Sequence, residues 1–398
     1  MAEGVAQAAA GAARRVKLGS LNVSKVCLGT MTFGSMSNQD TAFEILDRFI
    51  ELGGNFIDTA EMYPVPVKAE YAGESEYIIG RWLKARAGRI KRDEIVIASK
   101  VSGPRAAAGP FVVANRARAL GHPAGDGNVA ADFSPGQLRQ SCEASLARLG
   151  IECLDLFQLH WPERHVPKWG AGQYVKEEEE ADEGRDLQGF DSVVSTIGAL
   201  IAEGKVKEWG ISNETSYGVA QACEAAKRNG VRPPVSIQND FSLCYRIFES
   251  ELAESCSTKH YNIGLIAYGV LNGGALSGKY LRGGATASSR FNFCSGFQPR
   301  YHSDRANAAI ELRARTCEFA SSISCNSSAA FVRSCSLAWM TSSLPCPRST
   351  PQASSRTSLH VAICTPDCSA YFFARFSAHT EVCPPLSLLP LRTFRVLS

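Results

Sequence analysis

Short apolar segments with the pattern of β-strands alternate with amphipathic helical segments along most of this chain, and this alternation constrains the fold more than any other feature. Seven strands are predicted, at residues 26–29, 55–58, 94–100, 154–159, 206–211, 235–238 and 264–267. Helical sequence separates each strand from the next. Strands connected in this way pair in parallel, so we expect an α/β fold. The length favours a (β/α)8 TIM-type barrel, with a doubly wound sheet as the alternative.

Local signals place the ends of several helices. Gly53 and Gly54 end the first helix, and Ser134-Pro135-Gly136-Gln137 is typical of a helix start, with Ser as N-cap and Pro in the first turn. The segment 103–133 is rich in Gly, Ala and Pro and shows no periodicity. We therefore predict that it is an inserted loop.

The last part of the chain differs in composition from the rest. Residues 321–398 contain neither Gly nor Lys, although the whole chain has 34 Gly. Without this stretch, 36 basic residues face 37 acidic ones, and the net charge changes from +3 to −1. We divide the chain into an Ala-rich, disordered leader (1–15), a barrel (16–316) and a tail (317–398) that lacks a recognisable eighth strand. Our hypothesis is a frameshift or a misread splice junction near residue 316, and a genuine disordered extension is the alternative.

Composition and motifs exclude several classes of protein. No apolar run approaches the roughly 18 residues of a membrane span, and a net charge of +3 is too small for a nucleic-acid surface. There is no G-x-G-x-x-G after the first strand and no P-loop sequence, which argues against a Rossmann dehydrogenase or a P-loop enzyme. The first seven of the 14 Cys lack metal or disulfide spacing, so we expect free thiols, no metal and a cytoplasmic location. The short leader leaves import into an organelle open.

Four polar residues lie where predicted strands end. Asp58 ends the second strand and Tyr63 follows it by five residues, while Lys100 ends the third strand and His160 the fourth. The carboxyl ends of the strands in a βα barrel converge on one pocket, so the four side chains can meet there. Each residue alone is explained as well by a turn cap or a rim position. Four of them on three successive strand ends indicate a catalytic site.

Together these residues suit proton donation. A tyrosine pKa of about 10 is too high for ready proton exchange near neutrality. We expect a neighbouring ammonium, from Lys100, to lower it by favouring the phenolate, and Asp58 to hold that lysine in place. His160 would then hydrogen-bond and orient a substrate carbonyl.

Several motifs resemble the aldo-keto reductase superfamily, in particular its branch near the potassium-channel β-subunits and bacterial oxidoreductases. They are Leu28-Gly29-Thr30-Met31-Thr32-Phe33-Gly34, Phe56-Ile57-Asp58-Thr59-Ala60-Glu61-Met62-Tyr63, Ser99-Lys100 and Leu159-His160-Trp161-Pro162. The likeness runs from about Val16 to about Arg315. It implies the catalytic tetrad Asp58, Tyr63, Lys100 and His160, NADPH as cofactor, and hydride transfer to a small aldehyde or ketone.

The resemblance also implies cofactor positions. Ser212, Asn213 and Gln238 match the residues that bind the nicotinamide carboxamide, and Tyr268 matches the aromatic ring that stacks on it. Gly269 stands where relatives often have Ser. The full set of implied cofactor residues is Thr30, Met31, Asp58, Ser212, Asn213, Gln238, Tyr268, Gly269, Leu271, Gly273 and Lys279.

Two functions fit this resemblance. The first is an NADPH-dependent carbonyl reductase. The second is an NADPH-binding regulatory subunit with slow turnover, like the channel β-subunits, which keep the same tetrad. The sequence leaves the particular substrate and the oligomeric state open.

The tail yields a prediction about cofactor affinity. The residues with which the family binds the 2′-phosphate of the cofactor have no recognisable counterpart after Arg315. In addition, seven strands alone leave two sheet edges unpaired. We therefore expect this chain to bind NADPH weakly, with little preference over NADH, and to aggregate readily. A version with a family-like C-terminus should bind tightly and stay monodisperse. Titration of both proteins by tryptophan fluorescence quenching tests this, and equally tight binding by the present chain would contradict it.

Overall fold

The structure, a computed structural model, describes most of the chain up to residue 311. The described residues are 14–104, 111–123, 129, 131–169, 173–177, 189–281, 283–294, 296–301, 308, 310 and 311, with two further strands at 358–364 and 371–377. The predicted leader, except for its last two residues, lies outside them. So does the predicted tail apart from those two strands.

An antiparallel hairpin precedes the barrel. Its strands are β1 (Arg15–Leu18) and β2 (Leu21–Ser24). The backbone N–H of Ser20 donates to the Glu208 carboxylate, 2.7 Å away, near the amino end of a barrel strand. The hairpin therefore lies at the amino ends of the strands, opposite the end where a βα barrel carries its site.

Seven parallel strands form the wall of the barrel, and this confirms the α/β TIM-type fold expected from the sequence. Each strand lies within two residues of its predicted bounds, and neighbours in the sequence are neighbours in the sheet. The strands are β3 (Cys27–Gly29), β4 (Phe56–Asp58), β5 (Val96–Val101), β6 (Leu154–Leu159), β7 (Val206–Ser212), β8 (Ser236–Asp240) and β9 (Gly264–Tyr268).

Helices connect these strands and bury their apolar faces against them. The α4 helix starts after Ser134 with Pro135 in its first turn, as predicted, and ends at Gly150 in the left-handed conformation (φ 65°). The helices are α1 (Gln39–Glu51), α2 (Glu74–Ala85), α3 (Phe111–Ala119), α4 (Pro135–Leu149), α5 (Phe190–Ala202), α6 (Ser216–Arg228), α7 (Leu252–Ser255) and α8 (Arg290–Phe293). None of them, among the described residues, is long and apolar enough to cross a membrane.

The prediction of a structureless loop at 103–133 is wrong, because this segment contains α3. The helix lacks an apolar stripe and buries Val112, Asn115 and Arg116 instead. The buried positions of this helix therefore show no hydrophobic periodicity from which the helix could be predicted. Its formation depends on a tertiary partner for Arg116 rather than on local sequence.

The gap between β9 and β3 is bridged by a hairpin instead of an eighth β/α unit. Its strands are β10 (Ser358–Cys364) and β11 (Tyr371–Ser377). β10 pairs in parallel with β9, and β11 pairs antiparallel with both β10 and β3. Both sheet edges are thereby paired, so our expectation of two unpaired edges is wrong. Neither strand was predicted, because this part of the sequence lacks the Gly-containing turns of a βα unit. A hairpin needs only two runs rich in β-branched and aromatic residues, and both runs are present.

Candidate active site

A polar layer fills the barrel interior near the carboxyl ends of the strands. Asp58, Gln158 and Gln238 come from the alternate strands β4, β6 and β8, as the members of one interior layer do. The amide nitrogens of Gln158 and Gln238 donate to Oδ1 of Asp58, at 3.0 and 2.9 Å. Barrel interiors are usually filled by branched apolar side chains. A buried carboxylate in this place is unusual and requires hydrogen-bond partners.

Lys100 completes the hydrogen bonding of this carboxylate from the intervening strand β5. Its Nζ lies 2.6 Å from Oδ2 of Asp58 and 2.7 Å from the carbonyl oxygen of Thr59. Both charged side chains are buried, with 0% and 3% exposure. Burial alone would lower the pKa of Lys100, but the charge of Asp58 and its hydrogen bond to Lys100, with Tyr63 acting in the same direction, outweigh burial, and the pKa is raised. The lysine is therefore a fixed ammonium at neutral pH.

Tyr63 lies on the loop after β4 with its ring beside this ammonium. Nζ of Lys100 is 4.9 Å from the ring centroid, and the tyrosine is only 8% exposed. Burial raises the pKa of Tyr63 and is the largest effect, while the charge of Lys100 lowers it. The net direction is upward, so our expectation of a lowered tyrosine pKa is wrong for the protein alone. Lys100 limits the rise instead of reversing it.

His160 follows β6 and closes the group of four. Its ring centroid is 5.6 Å from that of Tyr63, in an edge-on arrangement, and 4.8 Å from that of Trp161. Burial first, and then the charge of Lys100, lowers the pKa of His160 well below its usual value. The imidazole is therefore neutral at pH 7. Its Nδ1 atom is buried and has no hydrogen-bond partner among the described residues.

A hydrogen-bonded chain of three further residues borders the four. Oγ of Ser212 donates to the carbonyl of Gln238 at 2.7 Å and accepts from the Asn213 amide at 3.1 Å. The hydroxyl of Tyr268 donates to Oδ1 of Asn213 at 2.6 Å. The Asn213 amide also donates to the carbonyl of His160 at 3.0 Å, which ties this chain to the histidine. Asn213 has a φ of 55°, a conformation that asparagine tolerates better than most residues.

The other implied cofactor residues divide into two places. Thr30 is fully buried, and its hydroxyl donates to the carbonyl of Asp58 at 3.0 Å. Met31 is half-buried and packs against the apolar cluster around Tyr63. Gln238 belongs to the interior layer, where its amide nitrogen donates a hydrogen bond to Asp58.

A glycine-rich turn after β9 holds the remaining positions. Gly269, Gly273 and Gly274 have φ values of 70°, 66° and 101°. A Cβ at Gly274 would lie 3.3 Å from Nζ of Lys279, which places that ammonium beside the turn. Successive backbone amides in left-handed turns can form a concavity that binds an anion, and Lys279 adds a cation beside this one. Leu271 is half-buried in the same turn.

Residue 269 is favoured as a glycine by its backbone conformation, with a φ of 70°, and also by the proximity of Asp240. A Cβ at Gly269 would lie 2.6 Å from Oδ1 of Asp240, so a serine cannot be accommodated without a shift. Oδ2 of Asp240 is paired with Arg300. Burial raises the pKa of Asp240 to about 6, while Arg300 opposes the rise. The arginine offsets the negative charge that Asp240 places beside this turn.

The structure thus brings together all four residues predicted to be catalytic, with Ser212, Asn213 and Tyr268 beside them. A neutral phenol beside an ammonium can give a proton to an oxygen, and a neutral imidazole can donate a hydrogen bond to it. Gln158 is the site residue that sequence analysis missed. The available signal was a polar residue within the otherwise apolar segment Leu156-Phe157-Gln158-Leu159 of a buried parallel strand.

No group of three or more potential metal-ligating side chains occurs within the part of the chain that the structure describes. The seven cysteines described are free thiols. Four of them are buried, whereas Cys244 is exposed.

Comparison with known proteins gives consistent matches. A family model described as the aldo/keto reductase family matches residues 25–351. Protein tas of Escherichia coli is 35% identical over 299 residues, which are 74% of this chain and 78% of that protein. Norsolorinic acid reductase stcV of Emericella nidulans is 32% identical over 265 residues, 65% of this chain and 56% of that protein. The uncharacterized oxidoreductase YrpG of Bacillus subtilis is 29% identical over 265 residues, 67% and 68% of the two chains.

The buried ion pair generates a stability prediction. Lys100→Met and Asp58→Asn should each lower the free energy of unfolding by about 3–5 kcal/mol, because each leaves a buried charge without its partner. The double variant should lose less than the sum of the two. Urea unfolding of the three variants measures this coupling. The exposed pair Arg48 and Glu51 provides the control, and Arg48→Met should change stability little. Additive losses at Lys100 and Asp58 would contradict the pairing.

His160 generates a prediction about pH. Its folded-state pKa is depressed, so the unfolded chain binds a proton first as the pH falls below about 6.5. The contribution of His160 to the free energy of unfolding should be fully present above that pH. Below it this contribution should fall, with a slope of up to about 1.4 kcal/mol per pH unit. His160→Gln should remove this part of the slope in urea unfolding at several pH values.

Proposed function

This chain belongs to the aldo/keto reductase family, and we propose that it reduces an aldehyde or ketone to the alcohol, with NADPH as hydride donor and Tyr63 as proton donor. Membership supports oxidoreductase activity on carbonyl compounds in general. The proposal adds the cofactor and the roles of individual residues.

One observation carries the proposal. The Tyr63 ring lies 4.9 Å from an ammonium that is itself held 2.6 Å from a buried carboxylate. Two charges and a phenol are expensive to bury together, and such groups cluster at functional sites. A purely structural role would be served as well by apolar side chains.

The residues divide the work of proton transfer. A bound NADPH supplies the hydride, which adds to the carbonyl carbon. Tyr63 gives its phenolic proton to the carbonyl oxygen, which forms the O–H bond of the alcohol and leaves a phenolate. Lys100 stabilises that phenolate by its positive charge, and Asp58 holds Lys100 in place. Solvent then returns a proton to Tyr63.

His160 orients the substrate in this proposal. A neutral imidazole keeps the pocket free of a second positive charge beside Lys100 and offers an N–H to the carbonyl oxygen. The hydrogen bond from Asn213 to the His160 backbone fixes the start of the following loop. Trp161 packs on the same ring.

The described residues fit a nicotinamide cofactor. Ser212 and Asn213 would hold the carboxamide, and Tyr268, whose hydroxyl is fixed by Asn213, would stack on the ring. The glycine turn and Lys279 would bind the phosphates, and Thr30 and Met31, which follow β3, would border the nicotinamide. Gln238 contributes by holding Asp58 instead of reaching the carboxamide with its amide nitrogen.

The walls near Tyr63 favour an uncharged substrate. An apolar cluster surrounds the phenol and consists of Ala60, Met62, Val112 and Trp161, with Met31, Val65, Val67 and Phe111 packed against it. Such walls exclude water from the developing alcohol oxygen. We propose a small aldehyde or ketone as substrate.

The proposal predicts the effect of removing one hydroxyl. Tyr63→Phe should reduce turnover of benzaldehyde by about 100-fold or more, the upper scale of general acid–base catalysis, while NADPH binding is kept because the ring remains. Stopped-flow NADPH oxidation and a fluorescence titration measure the two quantities. Tyr77→Phe, on the outer helix α2, is the matched control and should turn over normally.

Two results would count against this assignment. Near-normal turnover by Tyr63→Phe would remove Tyr63 from the mechanism. Slow turnover of every aldehyde by the unaltered protein, together with firm NADPH binding, would favour the regulatory subunit.

A further inference from the structure

A second buried ion pair lies on the loop that carries Tyr63. Glu61, two residues before the tyrosine, accepts two hydrogen bonds from the guanidinium of Arg116, at 2.8 and 2.7 Å. The side chains are 1% and 0% exposed. Burial alone would raise the pKa of Glu61, but Arg116 outweighs it and the pKa is lowered. The carboxylate is therefore ionised.

This pair joins three elements behind the loop. Oε1 of Glu61 also accepts from the backbone N–H of Ser102, two residues beyond Lys100, at 2.6 Å. Oε2 accepts from the hydroxyl of Ser141 on α4 at 2.8 Å. Arg116 uses its remaining nitrogen on Gln137 of α4 at 2.9 Å. The carboxylate thereby fixes the loop after β4 relative to the strand that carries Lys100.

Helix α3 reaches the loop at two further points. The Asn115 amide donates to the carbonyl of Ala72 at 3.2 Å, and the N–H of the next residue, Gly73, donates to the carbonyl of Tyr63 at 2.8 Å. Val112 packs in the apolar cluster that includes the tyrosine ring. One face of α3 thus supports both ends of the segment from Glu61 to Gly73.

We propose that Arg116 is a positioning residue for the proton donor, acting through Glu61 to hold Tyr63 beside Lys100. This inference rests on the proposed function, because it assigns Arg116 a part in proton transfer. Buried ion pairs are an inefficient way to stabilise a fold, since apolar residues of similar volume often do as well. Their rigid, bidentate geometry is better suited to fixing a position.

The chain offers an internal control for this proposal. Arg148 and Glu76 form another buried pair, with Nε 2.6 Å from Oε2 and exposures of 2% and 0%. This pair links α4 to α2 and to the hydroxyl of Ser99, and among the described residues it makes no hydrogen bond to residues 59–63.

Arg148 affects Glu61 through its charge, which also lowers the pKa of Glu61, and its side chain lies beside Gly73. A lysine in its place keeps that charge. Loss of either guanidinium should destabilise the protein, but only the change at Arg116 should affect proton donation.

The test compares Arg116→Lys with Arg148→Lys in the full chain. Lysine keeps the positive charge but lacks the planar guanidinium that forms two parallel hydrogen bonds to a carboxylate. Because the charge is kept, we expect both variants to fold. We expect kcat for benzaldehyde reduction by Arg116→Lys to fall by about 10- to 100-fold, the scale of a small misplacement of a catalytic group. KM for NADPH should stay unchanged, and Arg148→Lys should keep its kcat.

A second readout does not depend on turnover. For each protein, the ultraviolet spectrum of the same protein with Tyr63→Phe added is subtracted at each pH. The difference reports the ionisation of Tyr63 alone. In Arg116→Lys the midpoint should move toward the ordinary tyrosine value of about 10, because water reaches a loosened ring. Arg148→Lys should titrate like the unaltered protein. If Arg116→Lys does not fold, the pair Glu61→Gln and Arg116→Met, which removes both charges, is measured in the same way.

The outcomes separate this inference from the proposed function. Equal kcat losses and equal Tyr63 midpoints in the Arg116 and Arg148 variants would show a structural role only and overturn the inference. Normal turnover by Tyr63→Phe would instead overturn the proposed function. A kcat loss and a shifted midpoint confined to Arg116 would support the positioning role.

Discussion

The buried pair of Asp58 and Lys100 is the interaction on which the site depends. Two charges removed from water cost several kcal/mol each unless they pair and their other lone pairs and protons are satisfied. Here one carboxylate oxygen accepts from Lys100 and the other from Gln158 and Gln238. Strands β4, β5, β6 and β8 must therefore be in register for the charges to be accommodated. The barrel and the site are specified by the same contacts.

The pair also sets the chemistry of the residues around it. It keeps a positive charge beside Tyr63, which limits the rise in tyrosine pKa that burial causes. The same charge helps to keep His160 neutral. One fixed ammonium thus makes the phenol a better acid and the imidazole an uncharged hydrogen-bond donor. Tyr63 and His160 therefore have different roles, proton donor and hydrogen-bond donor, because of their burial and their distance to Lys100.

Sequence alone predicted the parallel strands and the four residues at their ends, because apolar periodicity and strand-end position are local signals. It did not predict partners that depend on tertiary structure. Gln158 is hidden in a strand, Arg116 lies in a segment without periodicity, and the amide nitrogen of Gln238 turned out to be used by Asp58. The direction of the Tyr63 pKa was also wrong, since the sequence shows the neighbouring lysine but not the depth of burial. The bridging hairpin of β10 and β11 was not predicted, because its sequence lacks the turns of a βα unit.

We propose that this site transfers a hydride and a proton to a carbonyl group, with Lys100 supporting Tyr63 as the proton donor. The most direct measurement is mass spectrometry of the alcohol formed from benzaldehyde and NADPH that carries deuterium at both positions of nicotinamide C4. The account predicts one deuterium on the carbinol carbon with the unaltered protein, and no product above background with Lys100→Met that is shown to be folded. Unlabelled alcohol, or labelled alcohol formed equally fast by folded Lys100→Met, would contradict it.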